Sequence, residues 1–411
     1  MFETAILRKH GQAFTSIDKG LIAETLLFYS NVHVVAHFGV LIDLLKVFGA
    51  DTLLTLIDDK LLTLTYLRTD FGTVTVNHGG VVYHSFAAMR HGGPGKTARP
   101  GDPGKKNLTN EESVQLAFER ALGRSWQTHR LAKRFLSKIS VRQNVDIVGQ
   151  KDGLPGLASS DLDDAHYVRD AIRESINGLV PRYVLPTDFR FSIWRTDNGF
   201  IIDDNINFPA LNAAFKASYP SSDIVLTPAL LIDQLLEARL DLQLSSLYMA
   251  EIVTNEATSS IIRRRLAALV AKRDKNVSGI ALFQQTQLRD ARAIREAINS
   301  GEHSFDGFLK ILGKAEKFKD WLRSRNPDGN LLDEYYKAVK AETWIEKLPS
   351  KSLRFVVAFG LAVALEAAYP SGLGILAGLG LEAADHLLLE RLLKGWRPNQ
   401  FVEGPLQKLT F

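Results

Sequence analysis

From Phe355 to Leu381 the chain runs 27 residues with Glu366 as its only charge. A run this apolar must leave water, which restricts where it can sit in any fold. A single membrane helix needs roughly 20 apolar residues, and this run reaches that length only across Glu366 and Pro370. An ionised carboxylate near a bilayer centre is expensive, so a constitutive single span is disfavoured. Pro370-Ser371-Gly372 instead marks a turn between two shorter helices. Gly374 and Gly378 form a Gly-xxx-Gly face that admits close helix approach. The segment 352–394 therefore reads as an apolar helical hairpin, either at the centre of a helical domain or at a subunit interface. A second reading has it packed in one state and membrane-inserted in another. Phe355, Phe359, Glu366, Gly374 and Gly378 are the interface or membrane residues of both readings.

The remainder is average enough to exclude several classes. Across 411 residues, 45% are hydrophobic and 23% charged, which is too apolar for a disordered chain. The absence of cysteine excludes a disulfide scaffold, a zinc ribbon, an iron–sulfur centre and thiol catalysis. The length suggests two or three domains. Met1 to His10 has no apolar core behind its charges, so no signal peptide is expected and the expected location is cytoplasmic.

Periodicity gives a fold class of α/β (or α+β) for the N-terminal part, followed by an all-α C-terminal domain. Residues 1–90 alternate between strand and helix patterns. Ala5 to Leu7, Val32 to Val35, Leu61 to Leu67 and Val74 to Phe86 read as strands, with helical spacing over 18–29 and 40–57 and a break near Gly49. Residues 91–108 are rich in glycine, proline and lysine and read as a flexible basic loop. In 109–225 the spacing predicts a long amphipathic helix, then an α+β region with a hairpin near 189–208, turned by Asp197-Asn198-Gly199. From 226 to 411 the pattern is helical, opening at Thr227-Pro228. Helices are expected over 228–250, 255–274, 285–299, 304–324, 330–347, 352–369 and 373–394.

The long helix carries the clearest charge pattern. Thr109 and Glu112 fit a capping box, and a helix of about 30 residues to Arg142 is expected from there. On a continuous helix Arg120, Arg124, Arg130, Arg134, Lys138 and Arg142 fall in one stripe opposite the apolar face. Such a stripe tracks nucleic-acid phosphates or an anionic partner, or is simply a solvated face. Lys96, Lys105 and Lys106 of the preceding loop could add phosphate contacts. The spacing of Arg124 and His129 resembles the Arg-x4-His of metal-independent ribonucleases of the HEPN superfamily, where the Arg holds phosphate and the His does acid–base work. The helical wheel, however, turns His129 away from Arg124 towards the apolar sector, as a core histidine.

Other motifs are incomplete. Gly92-Gly93-Pro94-Gly95-Lys96-Thr97 has Arg90 where a phosphate loop needs its first glycine, and Pro100 and Pro103 where it needs a helix. Asp161 and Asp163, with Asp203 and Asp204, could hold Mg²⁺ if they converge, and otherwise serve as caps and strand ends. No other cofactor is expected. No catalytic motif names a reaction, which leaves enzymatic activity open. The leading reading is a cytoplasmic, non-catalytic regulatory or interaction protein that self-associates, or contacts another protein or a membrane, through the apolar hairpin. The alternative is a nucleic-acid-binding protein or a host-defence nuclease using the basic helix 120–142.

Overall fold

The computed structural model describes residues 2–8, 17–90, 108–142, 153–220, 222–273, 283–313, 329–341, 343–358, 385, 388 and 399–403. Alternating strand and helix patterns at the N-terminus become β1 (Phe2–Arg8), α1 (Lys19–Phe28), β2 (Tyr29–Ala36), α2 (Phe38–Phe48), α3 (Ala50–Asp58) and β3 (Leu62–Leu67). The three strands pair in parallel. Gly49 separates α2 from α3 at φ +74°, a backbone conformation that glycine adopts without a Cβ penalty. The chain then forms the hairpin of β4 (Thr69–His78) and β5 (Val81–Arg90), helices α4 (Asn110–Leu122) and α5 (Trp126–Leu136), and the short strand β6 (Ser140–Arg142) beside β3.

The middle of the chain supplies α6 (Gly153–Asp161), α7 (Ala165–Leu179), the hairpin β7 (Phe191–Thr196) and β8 (Gly199–Asp204), α8 (Phe208–Ser218) and α9 (Pro228–Tyr248). Then come β9 (Glu251–Asn255), α10 (Glu256–Arg273), β10 (Phe283–Arg292), α11 (Ile294–Asn299), α12 (305–313), α13 (Gly329–Lys340), β11 (Ser350–Ala358) and β12 (Asn399–Glu403).

These strands build two sheets. The larger has the order β10-β11-β12-β9-β1-β2-β3-β6, and the smaller the order β4-β5-β8-β7. From β12 to β6 the large sheet is parallel throughout, while β11 and β10 join antiparallel at one end. The small sheet is antiparallel. The molecule is thus mixed α/β, with one parallel-rich and one antiparallel sheet.

The expected all-α C-terminal domain is corrected by this topology. Four strands after residue 250 enter the same large sheet as β1 to β3. Residues 285–292 and 352–358, expected as helix, lie in β10 and β11. The physical reason is that β11 is paired on both sides. A short apolar run such as Phe355 to Ala358 cannot be distinguished from buried helix by periodicity alone. The turn and second half of the expected hairpin, with Phe359, Glu366, Gly374 and Gly378, lie outside the described residues. Among the described residues no helix is long and apolar enough to cross a membrane.

Both faces of the large sheet are covered. Ala5, Leu7, Val32, Val34, Leu62 and Leu64 face a core shared with α1 to α5. Ile6, Val35 and Leu67 point the other way, onto Leu154 and Ala158 of α6 and Leu236, Leu240 and Leu244 of α9. The opposite side of α9, with Leu231, Leu235 and Leu242, packs into a further core with α7, α10 and the small sheet. Helix α9 is therefore enclosed on two sides, and that position determines what its charged residues must do.

Candidate functional site

The expected continuous helix from 109 to 142 is broken in the middle. Thr109 and Glu112 do form the capping box of α4. Gly123, at φ +85°, ends α4, and Ser125 starts α5 by accepting from Thr128 N. The two helices fold back on each other, with Phe118 and Phe135 ring centroids 5.2 Å apart. Val114, Ala117 and Ala132 join them in the core. The apolar pattern stays in phase across the break, so periodicity alone reads one helix. Gly123 and Ser125 were the local signals for two.

This break disperses the cationic stripe. Arg120 lies over the Phe38 ring at 5.2 Å. Arg134 is 3.1 Å from Asp58, which Lys138 also contacts. Together those two cations hold the Asp58 carboxyl below its ordinary range, the Lys138 hydrogen bond most of all. Arg142 sits on the edge strand β6, against Leu67. Lys96, Lys105 and Lys106 lie outside the described residues. Only Arg124 and Arg130 remain together, joined by Lys133, which lay outside the stripe.

These three cations line a cleft of about 630 Å3 at the α4–α5 turn. Arg124 is 88% exposed. Trp126, the first residue of α5, is 75% exposed, and the Arg130 guanidinium covers one side of its ring at 5.2 Å. Arg130 is one helical turn after Trp126, which is why the two side chains meet. Trp194 of β7 is also exposed, at 61%, so what singles out Trp126 is its place beside the three cations of the cleft.

His129 also lines the cleft and is exposed, so its expected place in the core is corrected. The wheel assumed one helix, whereas Arg124 occupies the turn and His129 the second helix. Gln115 Nε2 donates to Glu119 Oε1 and to His129 Nδ1, both at 2.9 Å. An amide nitrogen only donates, so Nδ1 accepts and the ring proton of neutral His129 sits on Nε2. Glu119 is the one carboxylate of the cleft lining, and its Oε1 lies 3.9 Å from Arg124 Nε.

The aspartates proposed for Mg²⁺ are not brought together. Asp161 is buried, 2.7 Å from Arg265 and 3.6 Å from Arg239. Asp163 pairs with Arg195 at 2.8 Å, and Asp203 with Arg190 at 3.4 Å. Asp204 accepts from Ile206 N at 2.9 Å, and burial pushes its carboxyl up. Among the described residues no three metal-binding side chains form a group.

Asp161 belongs to a buried cluster that sequence reading missed. Arg239 of α9 meets Asp385 at 2.6 Å, and Arg265 of α10 meets Asp385 at 2.9 Å. Burial opposes the charge on Arg239, but Asp161 and Asp385 outweigh it and raise its basicity. Arg265 also lies over the Tyr167 ring at 5.6 Å. On the other side of α9, Arg8 at the end of β1 reaches Asp241 at 2.9 Å and contacts Glu237. No local pattern announces these pairs, because their members are scattered along the chain.

A second buried polar set crosses the large sheet. His33 is within 2.9 Å of Thr65 Oγ1 through Nε2 and 3.0 Å of Thr63 Oγ1 through Nδ1. Its ring lies 4.2 Å from that of Tyr248, at the end of α9. Burial lowers the imidazole pKa to about 4, so it stays neutral near pH 7.

Arg239, Arg265, Asp161, Asp385 and His33 are buried among protein, whereas the α4–α5 cleft presents its polar groups to solvent. Comparison with protein-family models, with curated proteins and with solved structures returns no match for this chain.

Proposed function

We propose that the chain binds nucleic acid at the α4–α5 cleft, with Arg124, Arg130 and Lys133 on the phosphates and Trp126 against a base. The observation that carries this reading is the exposed Trp126 ring backed by Arg130. Aromatic platforms beside cations are how proteins hold single strands, stacking the bases and tracking the backbone. The cleft lining sets three cations against the single carboxylate of Glu119. Among the described residues Arg130 and Lys133 have no acidic partner to release first.

Binding of a labelled single-stranded oligonucleotide, followed by fluorescence anisotropy against salt, tests this reading. Three phosphate contacts on a single strand give a slope of log affinity against log salt of about −2. Arg124→Glu with Arg130→Glu is expected to abolish most of the affinity and flatten that slope. Absence of binding to RNA or DNA at roughly 50 mM salt removes the proposal.

A further inference from the structure

Building on the cleft as a nucleic-acid site, we propose that it takes one unpaired base and that the base it selects is guanine. Its volume, about 630 Å3, falls within the roughly 300–1,000 Å3 of small-ligand sites. Arg130 occupies one side of the Trp126 ring and leaves the other to a single stacking partner. A base inside a duplex is already stacked on both faces and cannot be presented this way, whereas a splayed base can.

Selection comes from the row Glu119–Gln115–His129. Glu119 is held by the Gln115 amide through Oε1. Its Oε2 has no hydrogen-bond partner among the described residues, and Glu119 is the one carboxylate in a lining that also holds Arg124, Arg130 and Lys133. A carboxylate there weakens phosphate binding and can accept from the donors of a base through the oxygen that Gln115 leaves free. A carboxylate only accepts, and both Gln115 amide hydrogens are engaged, which leaves His129 Nε2–H as the donor of the row. The row thus offers acceptors at one end and a donor at the other. Guanine presents the complement along its Watson–Crick edge: the N2 amine and N1–H donate, and O6 accepts. Adenine and cytosine each place a ring acceptor beside their single amine, and uracil has one donor between two carbonyls. Each of these three would set an acceptor against Glu119.

The test uses the full chain and labelled uridine oligonucleotides of about ten residues, with one central position changed to G, A or C. The G strand is expected to bind about tenfold more tightly than the others, the scale of one good bidentate base contact. Glu119→Gln is expected to bring the affinity ratio of the G strand to the all-uridine strand to about one, and a ratio that stays at the wild-type value overturns the role of Glu119 in selection. Trp126→Ala is expected to weaken all four strands alike, and an unchanged melting temperature for each variant shows that the fold persists. Guanosine monophosphate is included as a competitor. If it displaces the G strand at equal concentration, the ligand is the free nucleotide; weaker competition places the guanine within a strand. Equal affinity for all four strands overturns guanine selection and leaves the nucleic-acid reading standing. Tighter binding to a duplex than to the G strand overturns the unpaired base. No binding to any strand at low salt overturns this inference and the proposed function together.

Discussion

Helix α9 carries Asp233, Glu237, Arg239 and Asp241, and helix α5 carries Arg130, Lys133 and Arg134. In sequence both are helices rich in charge; in the fold their charges have opposite fates. Helix α9 lies between two cores, and its charges are paired across it, Glu237 and Asp241 with Arg8 and Arg239 with Asp161 and Asp385. Asp233 accepts from Thr73 N and Oγ1 of β4, which ties the small sheet to the helix. Helix α5 buries only Thr128, Ala132 and Phe135 and leaves its cations in water. An unpaired charge inside protein is costly, while an unpaired charge at the surface is solvated at almost no expense. Enclosure therefore consumes the charges of α9 in holding the fold, and exposure leaves Arg130 and Lys133 of α5 available to a ligand, while Arg134 pairs with Asp58.

That contrast can be broken by experiment, and the largest effect should come from α9. Arg239→Met leaves Asp161 and Asp385 sharing Arg265 alone, with one buried negative charge uncompensated, and is expected to cost about 3–5 kcal/mol in urea unfolding. An unchanged urea midpoint would mean that the cluster is hydrated, and the two helices would no longer differ in kind.

The next effect is acid sensitivity at His33. Its folded pKa is lowered to about 4, from an ordinary value of 6.5. Between those values the unfolded chain binds the extra proton, so stability falls as pH falls. Roughly 3 kcal/mol present near pH 7 should be lost by about pH 4. His33→Gln should flatten stability against pH over this range, and a slope that survives the substitution would assign it to other groups.

On α5 the expected order reverses, with binding changed and stability not. Trp126→Ala should weaken single-strand binding by about 1–3 kcal/mol while leaving the melting temperature as it was. A drop in melting temperature would make the indole a structural residue and close the contrast from the other side. The smallest effect is expected from Asp58→Asn, which releases Arg134 and Lys138 into solvent. Thermal stability should stay within error, with a slight gain in affinity at low salt that disappears as salt is raised.

Much of the N-terminal architecture was legible because its signals are local. The alternation of β1, α1, β2, α2, α3 and β3, the break at Gly49, the capping box at Thr109 and the hairpin of β7 and β8 each rest on a few adjacent residues. The C-terminal strands were not legible, because Phe355 to Ala358 becomes a strand only by pairing with β10 and β12, which are distant in sequence. The candidate cleft was half legible. Arg124 and Arg130 stood out as cations and His129 by its spacing from Arg124, but Trp126 did not, and His129 was expected in the core, because a single glycine turned one helix into two and changed which side chains face each other.

Composition and periodicity by themselves determined that this chain is α/β at its start, lacks thiol chemistry and carries a cation-rich segment between Arg120 and Arg142. Backbone preference and side-chain periodicity act over a few residues, and they can be read one residue after another. Tertiary structure alone decided which arginines are buried in ion pairs and which are free for a ligand. The reason is that the energy of a charge depends on the water and counter-charges around it, and in this protein those come from residues more than a hundred positions away, as Arg8 with Asp241 and Arg265 with Asp385 show.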